Sequence, residues 1–187
     1  MLDVRECCLV VVDVQGKLAQ LMHAKEVLFK NIQTLIQAAK ILDIPILWCQ
    51  QCPAALGPTV SEIAELLAGN KPIDKSAFSC CGDAAFNAKL NELARNQVLL
   101  CGIETHVCIY QTAADLIRKG FRVDVPFDAV SSRTLENKQI AISRLAGLGV
   151  NIISVEMALF ELLRTAEHPK FRQVARLIEQ PPSHQRP

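Results

Sequence analysis

Short apolar runs typical of strands alternate with helical patterns along the whole length of this 187-residue chain. Such an alternation predicts an α/β fold, in which a parallel sheet carries helices on both faces. Strands of such a sheet are buried on both sides, which explains why the runs are almost continuously apolar. The predicted strands cover residues 8–12, 46–49, 72–73, 98–101, 122–125 and 151–154. We expect one doubly wound domain over residues 1–180, followed by a polar, flexible tail over residues 181–187.

The charge of the chain is nearly balanced, with 20 basic and 19 acidic residues and a formal net charge of +1. The basic residues form no block, so the sequence lacks the electrostatic signature of a protein that binds nucleic acid or an acidic membrane. No apolar run reaches the roughly 20 residues that span a bilayer, and residues 1–6 do not resemble a signal peptide. We therefore expect a cytoplasmic protein whose partner is a small-molecule substrate.

The chain contains eight cysteines, a number that would normally indicate cross-links in a secreted domain. Four of them lie inside or at the end of apolar strands: Cys7, Cys8, Cys49 and Cys101. Together with the absent signal peptide, this placement predicts reduced cysteines that pack in the core. An alternative is a zinc site formed by Cys49 and Cys52 with Cys80 and Cys81, although the second pair lacks chelating spacing.

Polar residues follow the predicted strands at four points of the sheet. In an open parallel sheet, a ligand lies beyond the carboxyl ends of the strands, near the point where the strand order reverses. The residues at these ends are Asp13, Gln50 and Gln51, Lys75, and the segment from Glu104 to Cys108. We therefore expect the four segments to converge on one pocket.

The stretch Gly102-Ile103-Glu104-Thr105-His106-Val107-Cys108 places a cysteine at the start of a helix, directly after a buried strand. Free N–H groups and the positive end of the helix dipole favour a thiolate there, which predicts a lowered pKa for Cys108. Asp13 and Lys75 add a proton acceptor and a cation, which complete the set needed for nucleophilic catalysis. Taken singly, each residue has an ordinary alternative: a core cysteine, an aspartate that caps a helix, and a surface lysine.

Four motifs, spread over nearly the whole domain, are similar to motifs of one enzyme family. They are Val12-Asp13-Val14-Gln15, Lys75-Ser76-Ala77-Phe78-Ser79, Gly102-Ile103-Glu104-Thr105-His106-Val107-Cys108-Ile109 and Asp128-Ala129-Val130-Ser131-Ser132-Arg133. They resemble the isochorismatase-like cysteine hydrolases, which include nicotinamidase and N-carbamoylsarcosine amidohydrolase. Gln51 with Leu56-Gly57-Pro58-Thr59-Val60 is most similar to the branch of isochorismatase-domain-containing proteins.

The resemblance implies a catalytic triad of Asp13, Lys75 and Cys108 on a six-stranded sheet of order 3-2-1-4-5-6. It also implies a cis peptide bond between Ile103 and Glu104, and an oxyanion hole formed by the backbone N–H groups of Glu104 and Cys108. The substrate pocket is expected to include Gln15, Gln51, Phe78 and Thr105. The expected reaction is hydrolysis of a small amide or carbamoyl substrate through a thioester, by an enzyme that forms homo-oligomers as family members commonly do.

The segment after the second strand departs from the metal-dependent members of the family. Metal-dependent nicotinamidases carry an aspartate and two histidines there, whereas this chain has Trp48-Cys49-Gln50-Gln51-Cys52-Pro53 and no histidine between His23 and His106. We therefore expect no metal and no other cofactor, and nicotinamide becomes a less favoured substrate. His106 lies two residues from Cys108 on a helical turn that points the two side chains apart, which predicts a neighbouring or structural role.

Three other functions are compatible with the sequence. One is the hydrolysis of a vinyl ether, the isochorismatase reaction, which does not require the thiol of Cys108. Another is a catalytically idle scaffold that keeps the fold and forms oligomers, since fold does not imply function. The third is a thiol-based redox or metal protein, which would need a second cysteine to resolve Cys108. The complete set of Asp13, Lys75 and Cys108 favours the amide hydrolase.

Overall fold

The computed structural model describes residues 1–178, and these residues form one parallel sheet of seven strands. The strands are β1 Cys7–Val12, β2 Ile46–Gln51, β3 Ile73–Lys75, β4 Gln97–Ile103, β5 Arg122–Pro126, β6 Val130–Ser131 and β7 Asn151–Ile153. Six of them lie side by side in the order β3-β2-β1-β4-β5-β7. Because β7 is the sixth predicted strand, this is the order 3-2-1-4-5-6, and the doubly wound α/β fold is confirmed.

The seventh strand, β6, corrects the expected count of six. Strand β5 pairs with only the first three residues of β4. At Pro126, which has no N–H for a ladder hydrogen bond, the chain leaves the sheet through the turn Phe127–Ala129. It then returns beside Gly102 and Ile103 as β6. A strand of two residues is too short for hydrophobic periodicity to reveal.

The second and third strands also extend further than predicted. Gln50 and Gln51 pair with Asp74 and Lys75, so all four residues belong to strands rather than to the loops that follow them. Polar side chains at the carboxyl ends of strands break the apolar pattern, and for this reason the sequence underestimates these strands. The consequence is that Gln51 and Lys75 are held side by side by the sheet itself.

Nine α-helices surround the sheet in the described part of the chain. They are α1 Gly16–Gln20, α2 Lys25–Ile41, α3 Pro53–Leu56, α4 Ser61–Ala64, α5 Ala84–Glu92, α6 Tyr110–Arg118, α7 Leu135–Gly147, α8 Val155–Leu163 and α9 Phe171–Ile178. A π-helical turn, Thr105–Ile109, directly precedes α6. Helices α2, α8 and α9 pack on one face of the sheet, and α5, α6 and α7 pack on the other.

Strand β1 lies in the centre of the sheet and faces both halves of the core. Its alternate residues Cys7, Leu9 and Val11 join the cluster on the α2 face, whereas Cys8, Val10 and Val12 join the cluster on the α6 face. All six are buried, and each full burial of a valine or leucine stabilises the fold by about 1.5–3 kcal/mol. This packing fixes the position of Asp13, the next residue of the chain.

Three further expectations concern the cysteines, the membrane and the ends of the domain. All eight cysteines are free thiols and six are buried, in agreement with reduced core residues. Within residues 1–178, no helix combines the length and the apolar character needed to cross a membrane. The domain boundary predicted at residue 180 and the tail predicted over residues 181–187 lie outside the described residues.

Candidate active site

The carboxyl ends of four adjacent strands bring the predicted site residues together. Asp13 directly follows β1, Gln51 ends β2, Lys75 ends β3, and Cys108 lies in the π-helical turn after β4. The order β3-β2-β1-β4 makes these ends neighbours in space. The convergence predicted from the sequence is therefore present.

Asp13 and Lys75 form a buried ion pair. The Nζ atom of Lys75 lies 2.7 Å from Oδ2 of Asp13, and the two side chains are 0% and 3% exposed respectively. Lys75 also donates to the side-chain oxygen of Gln51 at 2.7 Å and to the carbonyl oxygens of Ala77 and Phe78 at 3.2 Å. An ammonium group has three protons, and four acceptors already surround this one. Lys75 therefore supplies positive charge and orientation to Asp13 rather than a proton to a substrate.

Gln15 and Gln51 hold this ion pair in place, a role that the sequence did not reveal. The side chain of Gln15 accepts a hydrogen bond from the backbone N–H of Gln51 at 2.6 Å and donates to its carbonyl oxygen at 3.1 Å. It also donates to the carbonyl oxygen of Gly57 at 2.7 Å. Gln51 in turn donates to the carbonyl oxygen of Ser76 at 2.7 Å, which directs its side-chain oxygen toward Lys75. The two amides thus fix the rotamer of the lysine.

The environment of Cys108 corrects the expectation of a lowered thiol pKa. Cys108 is only 7% exposed, and burial raises the pKa of its thiol above the ordinary value. The Asp13 carboxylate raises this pKa further, whereas Lys75 acts in the opposite direction. Desolvation therefore outweighs the helix start, and the environment of Cys108 favours the neutral thiol over the thiolate.

Asp13 is placed to accept the proton of that thiol. Within residues 1–178, its Oδ1 atom is buried without a hydrogen-bond partner of ordinary geometry, since Lys75 occupies only Oδ2. Burial raises the pKa of Asp13, and the charge of Lys75 offsets this only in part. A carboxylate with a raised pKa and a free oxygen beside a thiol is a suitable general base.

The backbone around Glu104 has two unusual features. The peptide bond between Ile103 and Glu104 is cis, at the position where the family resemblance implied such a bond. Gly102 has φ +121°, and a Cβ atom there would lie 2.0 Å from the carbonyl oxygen of Val12. Only glycine fits this approach of β4 to the end of β1. The Glu104 carboxylate accepts hydrogen bonds from the backbone N–H and from Nε of Arg133, both at 3.1 Å.

A small pocket of about 100 Å³ opens above Cys108. Apolar side chains form most of its wall: Leu18, Leu56, Phe78, Ile103 and Val107. Its polar residues are Asp13, Gln51, Glu104 and Cys108, and no basic residue of the described chain lines it. Phe78 is 54% exposed and Leu56 is 36% exposed, so both lie at the mouth of the pocket.

Two of the four expected pocket residues lie behind the wall. Gln51 and Phe78 line the pocket, but Gln15 and Thr105 do not. Gln15 is fully buried and its amide is engaged with backbone groups around Gln51 and Gly57. Thr105 is also fully buried, and its hydroxyl has no hydrogen-bond partner within residues 1–178.

His106 does not line the pocket of Cys108. Its Nδ1 atom lies 3.0 Å from the hydroxyl oxygen of Ser132, and its ring lines a separate depression with Tyr110 and Arg144. The neighbouring role predicted for His106 agrees with this placement. Cys52 likewise stays outside the pocket, and its sulfur contacts the carbonyl oxygen of Lys75 at 3.7 Å.

The cysteine-based zinc site does not form in the described part of the chain. Among residues 1–178, no three His, Cys, Asp or Glu side chains come close enough to hold a metal ion together. Cys49 and Cys80 do interact with each other, and their contact raises the pKa of Cys49. Both are fully buried, which keeps them from solvent.

Comparison with known proteins supports one family. The sequence profile of the isochorismatase domain matches residues 7–157. A protein of Phytophthora sojae named secreted isochorismatase effector Isc1 is 39% identical over 176 residues, which cover 92% of this chain and 84% of that protein. Isochorismatase domain-containing protein 2 of Danio rerio is 35% identical over 180 residues, which cover 96% of this chain and 90% of that protein. A solved structure described as MAR1 ribonuclease from Caenorhabditis elegans has a TM-score of 0.90 and 35% identity, and the match covers 100% of this chain and 97% of that chain.

Proposed function

The chain belongs to the isochorismatase domain family of hydrolases, and we propose that it cleaves the C–N bond of a small, neutral amide or carbamoyl compound with Cys108 as nucleophile. One observation carries this proposal. Asp13 is anchored by Lys75 through one carboxylate oxygen, while its other oxygen is buried beside the pocket of Cys108 and has no hydrogen-bond partner of ordinary geometry among residues 1–178. Such an arrangement supports proton transfer from the thiol to the carboxylate.

In the first half of the reaction, Asp13 takes the proton of Cys108 and the sulfur attacks the carbonyl carbon of the substrate. The backbone N–H groups of Glu104 and Cys108 stabilise the oxyanion of the tetrahedral intermediate, a contribution of about 3 kcal/mol for one donor in comparable sites. The C–N bond then breaks, and Asp13 returns its proton to the leaving nitrogen. The products of this half are an amine or ammonia and a thioester on Cys108.

In the second half, water hydrolyses the thioester. Asp13 takes a proton from the water, and the oxygen attacks the thioester carbon. The C–S bond breaks, and the proton held by Asp13 returns to the sulfur of Cys108. The acid product leaves, and both residues regain their starting protonation states.

The buried charge of Lys75 lowers the free-energy cost of these proton transfers in a site with little water. A thiol beside a carboxylate carries one negative charge, and so does the thiolate beside a carboxylic acid. The Lys75 ammonium balances that charge in both states, so the proton moves without creating an unpaired buried charge. We therefore treat Asp13 and Cys108 as one coupled unit that shares a proton.

The pocket wall favours a neutral substrate. The acidic residues in it are Asp13 and Glu104, and Glu104 is paired with Arg133 on its outer side. A dicarboxylate such as isochorismate would need cations, and no basic residue among residues 1–178 lines the pocket. The same charge pattern disfavours a phosphodiester, so the ribonuclease name of the Caenorhabditis elegans relative does not guide the substrate class proposed for this chain.

We further propose that the reaction requires neither a metal nor an organic cofactor and that the enzyme forms homo-oligomers. The metal proposal rests on the carboxyl end of β2, where Gln50 bonds to Asp74 and Thr59 and Gln51 bonds to Lys75 and Ser76. The proposal that the enzyme forms homo-oligomers rests on the common self-association of family members. Light scattering on the purified chain tests it, and a monomer at micromolar concentration would contradict it. A cytoplasmic location stays a prediction.

The decisive experiment is a survey of small amides and carbamoyl compounds with release of ammonia or amine as the readout. We expect turnover of at least one neutral compound, its complete loss in Cys108→Ala, and a decrease of at least about a hundredfold in Asp13→Asn. Cys101→Ala is the matched control, because Cys101 is fully buried in β4 and lines no part of the pocket. Turnover that survives Cys108→Ala would refute Cys108 as the nucleophile, and a folded chain without turnover of any compound would support the scaffold.

A further inference from the structure

A second cavity of about 180 Å³ lies apart from the active site. It is enclosed by the start of α2, the turn Phe127–Ala129 and the start of α7. Its polar lining residues are His23, Asp128, Ser131 and Lys138, and its apolar wall includes Ala24, Val27, Phe127 and Leu135. None of them lines the pocket of Cys108, so the proposed hydrolysis leaves this cavity without a role.

Lys138 is the unusual residue of this cavity. It is only 7% exposed, and its ammonium group lies 4.0 Å from the centre of the Phe127 ring. Within residues 1–178 it forms no hydrogen bond and no ion pair. Burial lowers the pKa of Lys138, and the charge of Asp128 opposes this effect. Beyond its contact with the Phe127 ring, this ammonium has no hydrogen-bond acceptor among residues 1–178, and it can therefore donate to an anion in the cavity that Lys138 lines.

The amino end of α2 faces the same cavity. This helix has 17 residues, and its N-cap residue Ala24 provides no side-chain hydrogen bond to the first turn. Ala24 and Val27 both line the cavity. The free N–H groups of the first turn and the positive end of the helix dipole attract an anion. Two independent features, the helix end and Lys138, therefore favour negative charge at one place.

Asp128 limits what kind of anion fits. Its Oδ1 atom accepts a hydrogen bond from the backbone N–H of Val155 at 2.9 Å, and burial raises the pKa of its carboxyl group. The presence of this acid in the wall opposes a ligand with two or more negative charges, such as phosphate. The side chains of Val27, Phe127 and Leu135 complete the wall with apolar surface.

We propose that this cavity binds a small organic monocarboxylate. The carboxylate group lies between the ammonium of Lys138 and the first turn of α2, and the hydrocarbon part contacts Val27 and Phe127. A carboxylate that accepts hydrogen bonds from both groups satisfies the lysine and caps the helix, whereas an amide of the same shape lacks the charge. Binding at this site does not depend on the proposed hydrolysis.

Isothermal titration calorimetry with butyrate and with butyramide, at constant ionic strength, tests the proposal. We expect the unaltered chain to bind butyrate at one site per chain, and we expect Cys108→Ala, which cannot hydrolyse butyramide to butyrate, to bind butyramide at least about tenfold more weakly than butyrate. In Lys138→Gln, butyrate binding should weaken by at least about tenfold. Lys40→Gln is the matched control, because Lys40 is an exposed residue at the opposite end of α2 and the change in net charge is the same.

Three results with butyrate and butyramide would overturn the proposal: no butyrate binding by the unaltered chain, equal binding of butyrate and butyramide, or equal weakening of butyrate binding in Lys138→Gln and Lys40→Gln. The first two do not use Lys138→Gln, so the test stands even if that variant does not fold. Inorganic phosphate serves as a third probe, and tighter binding of phosphate than of butyrate would contradict the monocarboxylate. Cys108→Ala should bind butyrate as the unaltered chain does, which separates this site from the active site.

Discussion

Replacing Lys75 by methionine removes the charge that balances Asp13 while keeping a long side chain in the same buried space. The Lys75 side chain is 0% exposed and that of Asp13 is 3% exposed, so water cannot replace the lost 2.7 Å contact. Breaking a buried ion pair from one side costs about 3–5 kcal/mol, because the remaining charge has no partner. Domains are stabilised by about 5–15 kcal/mol, so Lys75→Met should remove a large part of the stability at neutral pH.

The cost should fall with pH, because the orphaned carboxylate can take up a proton. Burial already raises the pKa of Asp13, and the loss of Lys75 removes the charge that lowers it. In Lys75→Met, the pKa of Asp13 in the folded state then exceeds its pKa in the unfolded chain, so folding takes up a proton. The contribution of Asp13 to the free energy of unfolding is therefore fully present at low pH. It is lost as the pH rises through the folded-state pKa of Asp13. We therefore expect the deficit of Lys75→Met to be smaller at pH 5 than at pH 8.

Urea unfolding at fixed protein concentration measures these differences, with far-ultraviolet circular dichroism and the fluorescence of Trp48, the single tryptophan, as probes. A double variant with Asp13→Asn should be more stable than Lys75→Met alone, because it contains no orphaned charge. Asparagine is the suitable replacement, since it tolerates the φ of 54° at position 13. Lys40→Met, at an exposed position, should change stability by less than about 0.5 kcal/mol. A deficit below about 1 kcal/mol at pH 8, or one that is the same at pH 5, would refute this reasoning.

Three further predictions follow from the site. Gly102→Ala should destabilise the fold by at least about 2 kcal/mol, because the new Cβ atom would lie 2.0 Å from the carbonyl oxygen of Val12. Gly147→Ala is the control, because a Cβ atom there meets open space, and this variant should be neutral or slightly stabilised. Equal melting temperatures of the two variants would contradict the prediction. Iodoacetamide should modify Cys108 before the fully buried Cys101, as measured by peptide mass spectrometry. The rate of modification of Cys108 should still increase at pH 9, because burial and Asp13 raise the pKa of its thiol. A rate that reaches a plateau below pH 8 would indicate a thiolate instead. Hydrolysis should survive exhaustive chelation, and activity that is lost with a stoichiometric metal and returns with it would refute the metal-free mechanism.

Much of the fold is encoded in local patterns. The strand at residues 8–12 is continuously apolar because β1 is covered on both faces, and the spacing of strands and helices identified a parallel sheet. The order of the strands came from the family motifs rather than from periodicity. The short strand β6 and the polar ends of β2 and β3 were missed, since pairing with a neighbouring strand, and not the local pattern, defines them.

In the candidate site, too, some features are visible in the sequence and others depend on the tertiary structure. The positions of Asp13, Lys75 and Cys108 at the ends of their strands are visible in the sequence, because chain order places each directly after, or at the end of, an apolar run. The partners of these residues are not visible: Gln15 and Gln51 meet Lys75 only because β1, β2 and β3 are adjacent. A hydrogen bond between residues far apart in the chain leaves no periodic signal.

By itself, the sequence determined the fold class and the residue types available for chemistry, since both depend on local order along the chain. The tertiary structure alone decided their accessibility and the direction in which their pKa values shift. The position of Cys108 at a helix start suggested a thiolate, but the surrounding core raises its pKa. Lys138 carries no local signal in the sequence that marks it as buried, and packing against Phe127 buries it beside a cavity. The physical reason is that desolvation is set by all the atoms around a group, and most of them come from distant parts of the chain.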